Sequence, residues 1–152
     1  MKTKSNIIIS SPHVVVPHNY WEHLLGEVLR DADLITDAQL QTVLRDQQEY
    51  KYQKIGEILA LRGWIKQETV DFFAEEWKSC LKQGPQYPIG QYLKRAALLK
   101  QEDIEYILQL QQRLPMKFGK IAVSEGLIKK TTLNFFIESL LCQLSNDTLF
   151  RT

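Results

Sequence analysis

The sequence predicts an all-α protein of four helix-turn-helix repeats, arranged as a duplicated pair (AB-AB) behind an extended N-terminal arm. Three observations predict this fold. Four segments align on glycines that are 30, 34 and 29 residues apart, and an apolar pair follows each glycine at the same offset. After each pair, apolar residues recur at i, i+3 and i+4, which places one apolar stripe on a helix. The aligned glycines are Gly26, Gly56, Gly90 and Gly119.

Each repeat is expected to contain a short first helix, a tight turn and a longer second helix. Glycine adopts the left-handed conformation at a helix end without a Cβ clash, and Gly63 and Gly126 stand at that place. Asp33 tolerates the same conformation, whereas Ala97 predicts a different, looser ending. Thr36 lies three residues before a glutamine, which is the capping-box pattern. The apolar pairs are Leu34-Ile35, Trp64-Ile65, Leu98-Leu99 and Leu127-Ile128.

The second and fourth repeats are more alike than neighbouring repeats are. Both carry a lysine two residues before the aligned glycine, Lys54 and Lys117, and both carry a Phe-Phe pair in the second helix. A Gly-Pro stretch between the second and third repeats is typical of a linker. The expected organisation is an arm over residues 1–19, a first repeat pair over 20–82, a linker over 83–87 and a second repeat pair over 88–152.

Two aromatic residues do not fit the core of their own repeat. At about 100° per residue, Phe72 lies roughly 200° around its helix from Val70 of the apolar stripe, and Phe135 lies likewise relative to Leu133. Leaving each ring in water would cost about 1.5–3 kcal/mol. We expect both rings to be buried between the two halves; a contact with an outside partner or within a homodimer is the alternative.

The N-terminal segment does not follow the repeat. Its β-branched runs, Ile7–Ile9 and Val14–Val16, are separated by Pro12 and closed by Pro17, a composition that favours extended chain. We interpret this arm either as a segment that lies on the helical body or as a strand that pairs with a partner or a second copy.

Composition excludes several function classes. The 152 residues carry a formal net charge of +1, so no broad positive field attracts nucleic acid or an anionic membrane. No apolar run approaches the roughly 20 residues of a membrane span. Cys80 and Cys142 are too few and too far apart for a disulfide framework or a metal site. We therefore expect a cytoplasmic protein without a metal, a nucleic-acid partner or a transmembrane segment.

The sequence offers no catalytic constellation. The three histidines, His13, His18 and His23, have no nucleophile or carboxylate at motif spacing, and neither a phosphate-binding glycine loop nor a dinucleotide fingerprint is present. We expect a protein that is not an enzyme. The aligned glycines remain candidates for close ligand approach, and Lys54 and Lys117 beside helix N-termini suit an anion such as phosphate. Close helix packing with surface lysines is the alternative.

The first two repeats resemble a known family. The segment from Leu25 through Gln47, followed by residues 54–65, looks like the N-terminal domain of type II secretion and type IV pilus assembly ATPases, the family that includes the MshEN domain. The resemblance is strong over residues 24–77 and weaker over residues 88–140. Because the ATPase domain is absent from this sequence, the chain resembles a free-standing regulatory module.

The resemblance implies a non-enzymatic regulatory or adaptor module that binds a protein partner in pilus, secretion or motility machinery, the assembly ATPase among the candidates. It also implies an alternative, a receptor for cyclic di-GMP, which some members bind through a twice-used motif that opens with arginine and closes with glutamine. Here Leu24, Lys54, Pro88 and Lys117 stand in place of that arginine. The candidate ligand-binding residues are Leu25, Gly26, Leu34, Ile35, Gln47, Lys54, Gly56, Gly63, Gly90, Gln111, Lys117 and Gly119.

Overall fold

The computed structural model describes the backbone of residues 18–151 and the side chains of residues 24–141. This part of the chain is all-helical, as predicted. A π-helical turn, Phe72–Glu76, continues the fourth helix into the fifth. None of the described helices is both long and apolar enough to cross a membrane. The helices are α1 (His18–Asp31), α2 (Asp37–Glu49), α3 (Ile55–Leu61), α4 (Gln67–Asp71), α5 (Trp77–Gln83), α6 (Ile89–Arg95), α7 (Gln101–Gln111), α8 (Phe118–Ser124) and α9 (Lys130–Arg151).

The first helix is longer than expected. Helices α3, α6 and α8 have seven residues each, but α1 has 14 and includes His18 and Asn19, which the sequence placed in the arm. For α6 a proline explains the difference: Pro88 stands directly before this helix and stops it from extending backwards, whereas the nearest proline before α1 is Pro17. The rest of the predicted arm, residues 1–17, lies outside the described residues.

All four turns after the first helices are left-handed. The φ angle is 58° at Asp33, 71° at Gly63, 59° at Ala97 and 72° at Gly126. The expectation of a different ending at Ala97 is therefore wrong. The backbone explains why: the Ala97 N–H donates to the Lys94 carbonyl, and the following N–H donates five residues back, as in the other three turns. These bonds satisfy the last carbonyls of the helix, which offsets the strain of a Cβ in this region.

The glycines that define the sequence alignment allow close packing between helices. A Cβ added to three of them would meet the first residue of the apolar stripe on the following helix. These contacts are Gly26 with Leu40, Gly56 with Val70, and Gly119 with Leu133. Gly90 has a different neighbour, since a Cβ there would lie 2.9 Å from the Phe118 ring at the start of α8. Helix packing therefore occupies the space that a ligand would need at all four glycines.

Two matched sets of hydrogen bonds join the two halves of the chain. The buried hydroxyl of Thr69 in α4 donates to the Ala96 carbonyl at 2.7 Å, at the turn after α6. The buried hydroxyl of Thr132 in α9 donates to the Ala32 carbonyl at 2.8 Å, at the turn after α1. The lysine three residues before each threonine donates to the carbonyl of the left-handed residue in the same turn. Each half therefore holds a turn of the other half by equivalent groups.

An aromatic cluster fills the interface between the halves. Phe72 is 2% exposed and its ring centroid lies 6.3 Å from that of Phe136, while Phe73 lies 6.4 Å from Phe135. Phe135 is half-buried and stacks on Trp77 at 5.6 Å. Phe72 and Phe135, which did not fit the apolar stripes of their own helices, thus both contact aromatic residues of the opposite half. Phe72 is not available to an outside partner.

Candidate functional site

The two closing glutamines of the motif bind the backbone of the chain. The Gln47 side-chain amide donates to the Gln53 carbonyl at 3.4 Å, and the Gln111 amide donates to the Met116 carbonyl at 3.2 Å. In both cases the acceptor is the residue immediately before the lysine at the start of the next helix. Each glutamine therefore fixes the connection into that helix.

Lys54 and Lys117 are exposed at the N-terminal ends of α3 and α8. The Lys54 backbone N–H donates to the Glu57 carboxylate at 3.2 Å, so a side chain of α3 itself pairs with one N–H at that helix end. Gly63 is exposed, and a Cβ added there would meet nothing within 4 Å.

The apolar residues of the motif do not meet at one place. Ile35 is 3% exposed and belongs to the core, whereas Leu25 and Leu34 are half-buried. Leu25 and Leu34 line two different surface depressions, which share no lining residue. The predicted set is therefore divided between the core, helix ends and two surfaces.

The first surface, which we name the turn depression, lies where three left-handed turns come together. It has a volume of about 360 Å³. Half-buried leucines from the turns after α1, α6 and α8 meet there, although they are far apart in the sequence. Its main lining residues are Leu34, Leu98, Leu127, Ile128, Lys129 and Thr132.

The polar groups of the turn depression are already paired. The Lys129 ammonium donates to the Asp33 carbonyl at 2.6 Å and lies 3.5 Å from the Asp33 carboxylate. The Thr131 hydroxyl donates to the same carboxylate. This hydrogen bond, assisted by the Lys129 charge, holds the pKa of Asp33 below its ordinary value. At neutral pH the rim is therefore a compensated ion pair beside an apolar floor.

The second surface, which we name the α1–π groove, lies between α1 and the π turn and has a volume of about 180 Å³. The sequence did not predict it, because a π turn interrupts the helical period that the apolar stripe follows. The one available signal is Phe72, which is out of register with Val70. The groove is lined by Leu24, Leu25, Val28, Phe73, Ala74, Trp77 and Lys78.

Neither surface contains reactive chemistry. Among the described residues, no group of three or more His, Cys, Asp or Glu side chains is placed to hold a metal ion. Cys80 is buried, and burial raises the pKa of its thiol, which disfavours the nucleophilic thiolate. What the two surfaces can do is bind apolar groups.

Comparison with known proteins finds a relative. The chain is 50% identical over 127 residues to an uncharacterized protein of Picosynechococcus sp. (strain ATCC 27264 / PCC 7002 / PR-6). The matched segment covers 84% of this chain and 69% of that protein. No family model matches the chain, and no solved structure matches it significantly.

Proposed function

The chain belongs to the family of the Picosynechococcus protein, and we propose that it is a non-enzymatic adaptor or regulator that binds a protein partner at the turn depression. The observation that supports this proposal is the convergence of Leu34, Leu98 and Leu127 at one open surface. Half-buried leucines that meet at an open surface gain free energy when a partner excludes water from them. The paired rim charges would let a partner bind there without leaving a buried charge unpaired.

The proposal includes a duplicated architecture, AB-AB, in which the second half repeats the first. The matched hydrogen bonds between halves support it, because Thr69 and Thr132 stand 63 positions apart and their acceptors, Ala32 and Ala96, stand 64 apart. In a duplicated chain each half packs its turns against the other half, so turns from both halves meet at one place. The depression is then a product of how the halves dock.

The resemblance to the N-terminal domains of assembly ATPases gives the proposal its setting. We place the protein in the cytoplasm, as a partner of pilus, secretion or motility machinery, with the assembly ATPase or an associated protein as the binding candidate. A regulatory module of this kind needs a recognition surface and no catalytic group.

The test compares partner capture by the wild-type chain with capture by a variant of the depression. In Leu98→Asp/Leu127→Asp two carboxylates replace two of the converging leucines. Leu108→Asp is the matched control, because Leu108 is 49% exposed and does not line the depression. Helicity and melting temperature establish that each variant is folded. The partner is identified by affinity purification from the native cell, and its affinity is then measured with the purified proteins.

We expect the depression variant to bind the partner at least tenfold more weakly and the control to bind it as the wild type does. A partner that binds both variants equally well would place the interaction elsewhere and contradict the proposal.

A second candidate, a cyclic di-GMP receptor, is favoured by one observation. The closing glutamine bonds the residue directly before the lysine in the arginine position twice, Gln47 before Lys54 and Gln111 before Lys117. Titration calorimetry with cyclic di-GMP tests this candidate. Binding that is lost in Lys54→Ala/Lys117→Ala would support it, whereas the absence of both heat and a thermal shift at high ligand concentration would exclude it.

A further inference from the structure

The α1–π groove is open and lined mostly by apolar side chains. At the sequence positions that match Val28 and Ala74, the second half has Tyr92 and Ile137. Tyr92 is larger than Val28 and is 2% exposed, so its ring is buried in the second half. The first half has smaller side chains there, and the space remains.

In the second half, the chain before α6 packs against Tyr92. The Tyr92 hydroxyl accepts a hydrogen bond from the Gln86 N–H at 2.9 Å and donates to the Gly84 carbonyl at 3.4 Å. The Tyr87 ring packs on the Tyr92 ring with a centroid distance of 5.9 Å. The segment that precedes the short helix therefore turns back and lies against it.

The first half cannot form this cover from the same positions. Helix α1 begins eight residues before Gly26, whereas α6 begins one residue before Gly90. The residues that would turn back are helical in α1, so the segment that precedes the helix here is the chain before His18. Seventeen residues of this chain precede that point.

We propose that Val14–Val16 of the chain's own N-terminal arm pack into the α1–π groove. Leu25 lies about 10 Å along α1 from His18, at 1.5 Å per residue. An extended chain covers that distance in about three residues. Pro17 stands at the required reversal, and the three valines directly before it match this length. The side chains of Val14 and Val16 share one face of an extended segment, which suits a groove lined by Leu25 and Phe73.

The test is a double-mutant cycle on the purified full-length protein. Ala74→Asp puts a charge at an exposed position of the groove wall, so it is almost neutral unless something covers the groove. Val14→Asp/Val16→Asp makes the arm unable to pack in an apolar site. Ser10→Asp/Ser11→Asp adds the same charge elsewhere in the arm and is the matched control. Melting temperatures are measured for each variant alone and for each arm variant combined with Ala74→Asp.

We expect Ala74→Asp to lower the melting temperature by about 3–6 °C with the native or control arm, and by less than about 1 °C with the Val14→Asp/Val16→Asp arm. Equal effects of Ala74→Asp in all arms would overturn the proposal, because the substitution would then act on the helix alone. The measurement is repeated at tenfold higher protein concentration with the size of the molecule determined. Coupling that appears together with a dimer would assign the groove to the arm of a second copy and also overturn it.

Discussion

Ala97 is a residue that the fold places in a conformation it does not favour. Its φ of 59° lies in the left-handed region, where a Cβ costs about 1–2 kcal/mol relative to glycine. The equivalent positions of the second and fourth turns carry Gly63 and Gly126. Ala97→Gly should therefore relieve strain while the backbone hydrogen bonds of the turn, including the bond from its N–H to the Lys94 carbonyl, are kept.

The expected net stabilisation by Ala97→Gly is smaller than the strain energy that the substitution relieves. Glycine gives the unfolded chain more conformational freedom, which offsets about 0.4–1 kcal/mol. The net stabilisation is on the order of 0.5–1 kcal/mol, which corresponds to a rise of about 1–4 °C in the melting temperature for a domain of this size. Gly63→Ala is the converse control. A Cβ at Gly63 would meet nothing within 4 Å, so its expected destabilisation of similar size comes from the backbone alone.

Urea unfolding followed by circular dichroism at 222 nm measures both changes. Ala97→Gly should raise the unfolding midpoint without changing the slope of the transition. A destabilised Ala97→Gly, or a Gly63→Ala variant as stable as the wild type, would show that left-handed strain does not determine the stability of these turns.

Three further changes test the packing and the contacts between the halves. Gly56→Ala should destabilise the protein by about 1–2 kcal/mol in urea unfolding, because the new Cβ collides with Val70 and the overpacking exceeds the gain in helix propensity. Thr69→Val should cost about 1–2 kcal/mol in the same assay, since it leaves the buried Ala96 carbonyl without its hydroxyl donor. The pKa of Asp33 is lowered, so its carboxylate stabilises the fold above its unfolded pKa of about 4, and this stabilisation is lost as the pH falls through the folded value. Asp33→Asn should therefore be less stable at pH 7 by roughly 0.5 kcal/mol, a small effect because the group is half-exposed, and its stability should fall less between pH 5 and pH 3 when melting temperature is followed across that range.

The glycine alignment predicted where the turns lie but not what every turn residue does. The left-handed conformation of Gly63 and Gly126 was predicted correctly, because a left-handed helix end is a local requirement that glycine meets by itself. The prediction for Ala97 was wrong because local backbone bonds and contacts from distant groups together hold this turn, and the residue type indicates neither. The Thr69 hydroxyl and the Lys66 ammonium bind the carbonyls of this turn from another part of the sequence. Propensity at one residue does not report such contacts.

The apolar pattern of the sequence does not predict the π turn either. The apolar spacing after Val70 fits a regular helix, in which Ala74 would face the core and Phe72 would not. In the structure Ala74 is exposed, and the Trp77 N–H bonds to the Phe72 carbonyl five residues back, which defines the π turn. Phe72 is buried between the halves, as expected. The groove beside α1 lies next to this turn.

The residues of the motif that carries the family resemblance therefore have two structural roles in this chain. Its glycines admit the neighbouring apolar side chains, and its glutamines hold the connections into α3 and α8; both roles would be needed in a module that binds no nucleotide. A match at these positions indicates the fold rather than the ligand. Lys54 and Lys117 are the motif positions at which a substitution can test ligand binding apart from the fold, since both side chains are exposed. If Lys54→Ala/Lys117→Ala keeps full stability, then any loss of nucleotide or partner binding in that variant reports function directly.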